Sequence, residues 1–243
     1  MGKLIAVCGS PNSGKTTVSL KLAQEIYAAK KTSVVYLSPD LNAPSLAYIF
    51  PNGKDSDLFS LGVALDKTDI FREDVLKQTV GIKDMANFGF LGFKLGENKF
   101  SYPKPTEDKV TQLFGVLRES AEYVVVDCTC DTDDLISNIA KRDCDTAVQL
   151  FTPDMRCISY YSACVNQFIL IEDKRVKVLN EMDNDVYVPI AETETHFKGM
   201  DFKIPYERSL KQQAITGTLS ERIGGGRFRA EIDKLAKEVM ANE

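Results

Sequence analysis

Gly9-Ser10-Pro11-Asn12-Ser13-Gly14-Lys15-Thr16-Thr17 sets the fold of this chain. The apolar run Leu4-Ile5-Ala6-Val7-Cys8 leads into it, and an amphipathic stretch from Val18 to Ala29 leads out. Strand, glycine-containing loop and helix form the context in which G-x-x-x-x-G-K-[ST] acts as a phosphate cradle and not as a surface turn. The glycines let backbone N–H groups and the helix N-terminus turn toward a polyphosphate. Lys15 then reaches the β- and γ-phosphates, and the Thr16 hydroxyl holds Mg²⁺. All nine residues, from Gly9 to Thr17, are read as the binding loop for a nucleoside triphosphate.

Outward from the loop, short β-branched runs alternate with helical patterns almost to the end, the signature of βα units around a parallel sheet. Strands are expected at residues 3–8, 33–37, 88–92, 123–127, 147–151, 176–179 and 202–205. Helices are expected at 15–29, 58–65, 106–120, 133–141, 154–168, 207–216 and 228–240. The fold class is α/β: a three-layer, doubly wound, mainly parallel sheet of the P-loop NTPase type. No repeat or Pro/Ser-rich linker interrupts the pattern, so residues 1–243 are expected to form a single domain. Gly224-Gly225-Gly226 reads as a joint before the last helix.

A chain of 243 residues can bury a core without disulfides or metals. Its net charge of −5 argues against a generic electrostatic grip on DNA or acidic membranes, and specific DNA binding is not indicated. No apolar run approaches the roughly 20 residues of a transmembrane helix, and because the first strand runs straight into the loop no signal peptide is expected. A cytoplasmic location is expected, with any membrane or polar association made through a partner. Cys8, Cys128, Cys130, Cys144, Cys157 and Cys164 lack metal-ligand spacing and read as small residues in a reducing compartment.

Glu122-Tyr123-Val124-Val125-Val126-Asp127 is an apolar strand ending in an acid. Beside an intact phosphate loop, such a carboxylate belongs to the Mg²⁺ shell. Val34-Val35-Tyr36-Leu37-Ser38-Pro39-Asp40 ends a second strand the same way. Asp40 there reads equally well as a group orienting the attacking water and as an Asx turn before Leu41-Asn42-Ala43-Pro44.

Taken in order, these marks make the chain resemble the ParA/MinD family of P-loop ATPases over nearly its whole length. The loop is followed by Leu37-Ser38-Pro39-Asp40, similar to the family's D-x-D strand end, and by the Walker B strand ending in Asp127. Phe151-Thr152-Pro153-Asp154 through Ser159 is similar to the T-P-E-x-x-S turn, Val178-Leu179-Asn180 to the adenine-side strand, and Ile204-Pro205-Tyr206 to the closing segment. The resemblance implies that ATP and Mg²⁺ are the ligands, that Asn180 and Pro205 flank the adenine, that Thr16 and Asp127 serve the metal, and that Lys15 and Asp40 are catalytic. It also implies a nucleotide-dependent homodimer and a protein partner in a partition, pilus, secretion or conjugation assembly.

The departures sharpen this. Where family members carry a lysine that reaches across the dimer, this chain has Ser10, followed by Pro11 and Asn12. Pro11 also lacks an N–H for the cradle. A cation supplied in trans is worth roughly 10³–10⁵ in rate, so Ser10 predicts slow hydrolysis and weakens the expectation of a dimer. The altered loop resembles the degenerate members found in tight-adherence pilus (TadZ-like) and related secretion or conjugation systems more than a plasmid-partition ATPase.

Two rivals stand beside this reading. Asn180-Glu181-Met182-Asp183 has the spacing of the N-K-x-D guanine motif, but Glu181 replaces its lysine and Asp127-Cys128-Thr129-Cys130 lacks the D-x-x-G glycine. The second rival is a nucleotide-binding scaffold with negligible turnover. Of the remaining features, His196 is expected in a solvated loop, 88–93 as a buried strand with a turn, and the last helix as core-packing, since acids among its bases disfavour a membrane surface. Residues 42–83, with Tyr48, Phe50, Phe59 and Phe71, form the expected partner face.

Overall fold

The computed structural model describes residues 1–54, 57–82, 84–183 and 188–241. Eight strands form one sheet: β1 (Lys3–Gly9), β2 (Val34–Ser38), β3 (Val80–Ile82), β4 (Met85–Gly92), β5 (Tyr123–Asp127), β6 (Thr146–Phe151), β7 (Arg175–Asn180) and β8 (Phe202–Ile204), in the spatial order β3-β4-β2-β5-β1-β6-β7-β8. Every neighbouring pair is parallel except β3–β4, which is an antiparallel edge hairpin. The expected strands all appear, shifted by three residues at most. The added strand β3 is too short and too interrupted by Gly81 to show a period.

Alternation along each strand divides the core between the two faces of the sheet. Ile5, Val7, Tyr36, Phe90, Val125 and Val148 meet α1 (Lys15–Lys30) and α10 (Arg227–Ala241) on one side. Leu4, Ala6, Leu37, Leu91, Val126 and Phe151 meet α5 (Glu107–Ser120), α6 (Leu135–Asp143) and α7 (Met155–Ala163) on the other. Three layers result, the arrangement expected for parallel strands buried on both faces. Phe88, Phe90 and Phe93 are buried as the sequence suggests. Phe228, Ile232, Leu235 and Val239 of α10 are all buried against α1, so this helix is core-packing.

Shorter helices complete the chain: α2 (Leu46–Ile49), α3 (Leu61–Leu65), α4 (Arg72–Lys77), α8 (Ile190–His196) and α9 (Arg208–Thr216). Three expectations change. The helix read from residue 58 starts at Leu61, because the Ser60 hydroxyl caps it by accepting from Gly62 N–H. The helix read over 154–168 ends at Ala163 and continues as a 3₁₀ helix, Val165–Lys174. Buried Phe168 and Ile171 are three residues apart, the spacing that a 3₁₀ helix keeps on one face. His196 is exposed as expected, but it ends α8 and stands edge-on to Phe197 instead of lying in a loop.

Candidate functional site

The phosphate loop joins the carboxyl end of β1 to α1, in the middle of the sheet. Gly14 adopts φ +82 at the helix N-cap and Asn12 φ +61, so the chain curls back on itself before Lys15. The curl is closed by Ser13 N–H donating to Ser10 O at 3.2 Å. Only glycine fits at position 14, where a Cβ would lie 2.5 Å from Asn180 Nδ2 and 3.0 Å from Met182 Sδ. Ser10 is buried, whereas Pro11 and Asn12 are exposed.

Register places the acid that ends β5 beside the loop: Val7 of β1 pairs with Asp127 of β5. Thr16 Oγ1 donates to Asp127 Oδ2 at 2.6 Å, and the Tyr36 hydroxyl donates to the same oxygen at 3.0 Å. Asp127 Oδ1 is buried and has no hydrogen-bond partner among the described residues. Burial raises the Asp127 pKa; the Thr16 hydrogen bond, the Lys15 charge and the Tyr36 hydrogen bond oppose that rise, and the Asp40 carboxylate adds to it. A hydroxyl, a free carboxylate oxygen and a nearby cation are the donor set that a magnesium–polyphosphate complex requires, so the residues fit Mg²⁺ and a nucleotide.

Lys15 Nζ donates to Ser10 O and to Cys130 Sγ, both at 2.9 Å, and Cys130 Sγ donates to Gly9 O at 3.2 Å. Four cysteines are buried, but Cys130 is half-buried and sits within the site. Asn180, at the end of β7, donates from Nδ2 to Ser13 O at 2.9 Å, which ties the loop to an outer strand. Pro205 follows β8 at the same end of the sheet, where Asn180 pairs with Ile204. Asp183 forms an exposed ion pair with Lys211 at 3.4 Å.

Asp40 forms the Asx turn that its sequence context allows: Oδ1 accepts from Asn42 N–H at 2.8 Å and Ala43 N–H at 2.9 Å. Its charge nonetheless reaches Asp127 and Tyr48. Burial pushes the Tyr48 phenol up to about 12, helped by the Asp127 and Asp40 carboxylates and opposed by a hydrogen bond with Thr16.

The structure thus gathers Lys15, Thr16, Asp40, Asp127 and Asn180 around the loop. It adds Tyr36, Tyr48, Cys130 and Met182, which no motif marks. Only Tyr36 carried a signal: it stands two residues before the end of a strand adjacent to β5. The expected partner segment exposes Phe59, Val63, Phe71 and Leu76, while Tyr48 and Phe50 pack against the core. Residues 55, 56 and its last residue, Lys83, lie outside the described residues. No described helix is long and apolar enough to cross a membrane.

No protein-family model matches this chain, and no curated protein matches its sequence. Solved structures do match. A ParA family ATPase from Chlorobium tepidum TLS superposes with a TM-score of 0.78 at 12% identity, covering 97% of this chain and 99% of the other. The septum site-determining protein MinD of Pyrococcus horikoshii OT3, complexed with Mg-ADP, gives 0.74 at 17% identity, with coverages of 99% and 97%. The MinC:MinD cell division complex of Aquifex aeolicus gives 0.74 at 13% identity, with coverages of 100% and 97%. The fold is that of the ParA/MinD P-loop ATPases.

Proposed function

We propose that this chain is a ParA/MinD-like switch that binds ATP with Mg²⁺, hydrolyses it slowly, and organises a partner assembly of the pilus, secretion, conjugation or partition kind from the cytoplasm. The observation carrying this reading is the 2.6 Å pairing of Thr16 with Asp127 beneath a loop whose Gly14 is left-handed and whose Lys15 points inward. Thr16 and Asp127 hold the metal, which when bound neutralises charge between the β- and γ-phosphates. Lys15 exchanges Ser10 O and Cys130 for phosphate oxygens, Asn180 and Pro205 border the adenine, and Asp40 orients the water. Ser10 contributes no positive charge, so turnover is slow unless a partner supplies a cation. The MinD complexes with Mg-ADP and with MinC support the ligand and the mode of use by similarity.

One observation favours a second reading. Asp40 Oδ1 is already committed to two backbone N–H groups, as suits a scaffold that binds the nucleotide as a conformational key and scarcely turns over. Calorimetric titration with Mg-ATP and Mg-GTP, with Lys15→Ala as control, tests the nucleotide. Tighter GTP binding would replace ATP in this reading. Phosphate release from the wild type against Asp40→Ala tests the enzyme: release above the Asp40→Ala background supports a slow ATPase, and equal release leaves the scaffold.

A further inference from the structure

Between Val34 and Leu37, β2 is hydrocarbon but for one hydroxyl, that of the buried Tyr36. Packing does not call for this hydroxyl. The ring lies tilted against Phe90, centroids 5.8 Å apart, and a phenylalanine would fill the same space. A hydroxyl withdrawn from water is costly unless it finds a partner. Register supplies that partner. Tyr36 stands opposite Val125 of β5, two residues before Asp127, and both side chains point to the face that α1 covers. The phenol bridges this two-residue step and donates to Asp127 Oδ2 at 3.0 Å.

The two oxygens of Asp127 are treated differently. Oδ2 receives two hydroxyls, Thr16 from α1 at 2.6 Å and Tyr36 from β2 at 3.0 Å. Oδ1 is equally buried and has no partner among the described residues. With Thr16 alone, the carboxylate could turn about its last torsion and exchange its oxygens. Two donors on separate elements fix which oxygen is committed and which keeps its lone pairs free. The Thr16 oxygen also keeps lone pairs while its proton stays on Oδ2. Groups that orient a metal ligand in this way, without touching the metal, are typically worth roughly 10–100-fold in metal affinity.

We propose that Tyr36 is a positioning residue for the metal: its hydroxyl holds the Asp127 carboxylate so that Oδ1 remains the oxygen free to take Mg²⁺. Tyr36 acts through Asp127 and needs no contact of its own with nucleotide or metal. Its effect therefore falls on the gain in nucleotide affinity that Mg²⁺ brings, and not on the grip of the loop itself. This inference rests on the reading of Thr16 and Asp127 as the residues that hold the metal.

The test titrates the whole protein with ATP by calorimetry, once with Mg²⁺ and once with EDTA, in the wild type and in Tyr36→Phe, which keeps the ring on Phe90. The ratio of the two affinities separates the metal from the loop. That ratio is expected to fall tenfold or more in Tyr36→Phe. Mn²⁺ binding to the ADP-loaded protein, read by electron paramagnetic resonance, weakens by a similar factor. A loss of ATP affinity that is equal with and without Mg²⁺ marks a merely structural tyrosine and overturns the proposal. A wild type whose ATP affinity ignores Mg²⁺ overturns the metal reading, and the inference with it. Metal dependence in the wild type that Tyr36→Phe keeps in full overturns the inference alone. If a thermal melt shows that Tyr36→Phe does not fold, 3-fluorotyrosine placed at position 36 reports instead. Mg²⁺ added to the ATP complex is then expected to shift its ¹⁹F resonance, and an unmoved resonance overturns the proposal.

Discussion

At the scale of single residues, Gly14 is the most exacting position. Its φ of +82 costs an alanine roughly 1–2 kcal/mol, and the added methyl would lie 2.5 Å from the Asn180 amide that braces the loop. Gly14→Ala is expected to lower ATP affinity at least tenfold and to lower the melting temperature by a few degrees, read by calorimetry and a thermal melt. Unchanged affinity would show that the Asn180 brace is dispensable. The loop residues and Asp127 were legible in the sequence because their chemistry lies in local spacing and a strand end. Tyr48, Cys130 and Met182 were not, because each reaches the loop by a crossover that brings distant residues together; Tyr36 showed only its place near a strand end. Asp40 was legible only as an even choice, and its two hydrogen bonds to Asn42 and Ala43 realise the turn without removing its charge from the site.

Among the elements, α1 shows how polar side chains can be buried in a helix that follows a binding loop. Lys21, Gln24 and Glu25 all face inward. Lys21 Nζ donates to Leu219 O at 2.7 Å and to Glu221 O, Gln24 donates to Ser220 O at 2.6 Å, and Glu25 accepts from Arg222 and Arg229. Burial lowers the Lys21 pKa to about 7, against the pull of Glu221 and Glu25. Between that value and its ordinary 10.5, the unfolded chain binds the extra proton and the folded chain does not. The contribution of Lys21 to stability therefore rises with pH across this window, and falls away as pH drops through about 7. Urea midpoints measured from pH 6.5 to 10 should show this rise in the wild type and lose it in Lys21→Met. Identical slopes would mean that Lys21 stays charged in the fold. The sequence reads α1 as amphipathic from Val18 to Ala29, whereas every residue from Val18 to Ile26 is buried, because residues 219–229 cover its polar side. The strands were legible from their β-branched runs. The helices α2, α4 and α8 span four, six and seven residues, too few to establish a period.

For the whole molecule, the sheet order places the phosphate loop at the centre and leaves the short strands β3 and β8, three residues each, as edges. Short edges resist sheet-to-sheet pairing, so self-association is expected to depend on the nucleotide face. Light scattering with Mg-ATP should show dimer mass that Lys15→Ala abolishes; a monomer at saturating ATP would mean that the Ser10 loop has lost the family's dimer. The alternation of strands and helices made the architecture legible, whereas the ties that complete it span most of the chain. One of these ties has a consequence for the order of unfolding. The groups that partner Lys21, Gln24 and Glu25 belong to residues 219–229, so loosening that segment leaves buried polar groups of α1 unpartnered, and the two come apart as one cooperative unit. A protease nick near Gly224-Gly225-Gly226 would therefore expose α1, the helix that follows the loop, before it exposed the strands.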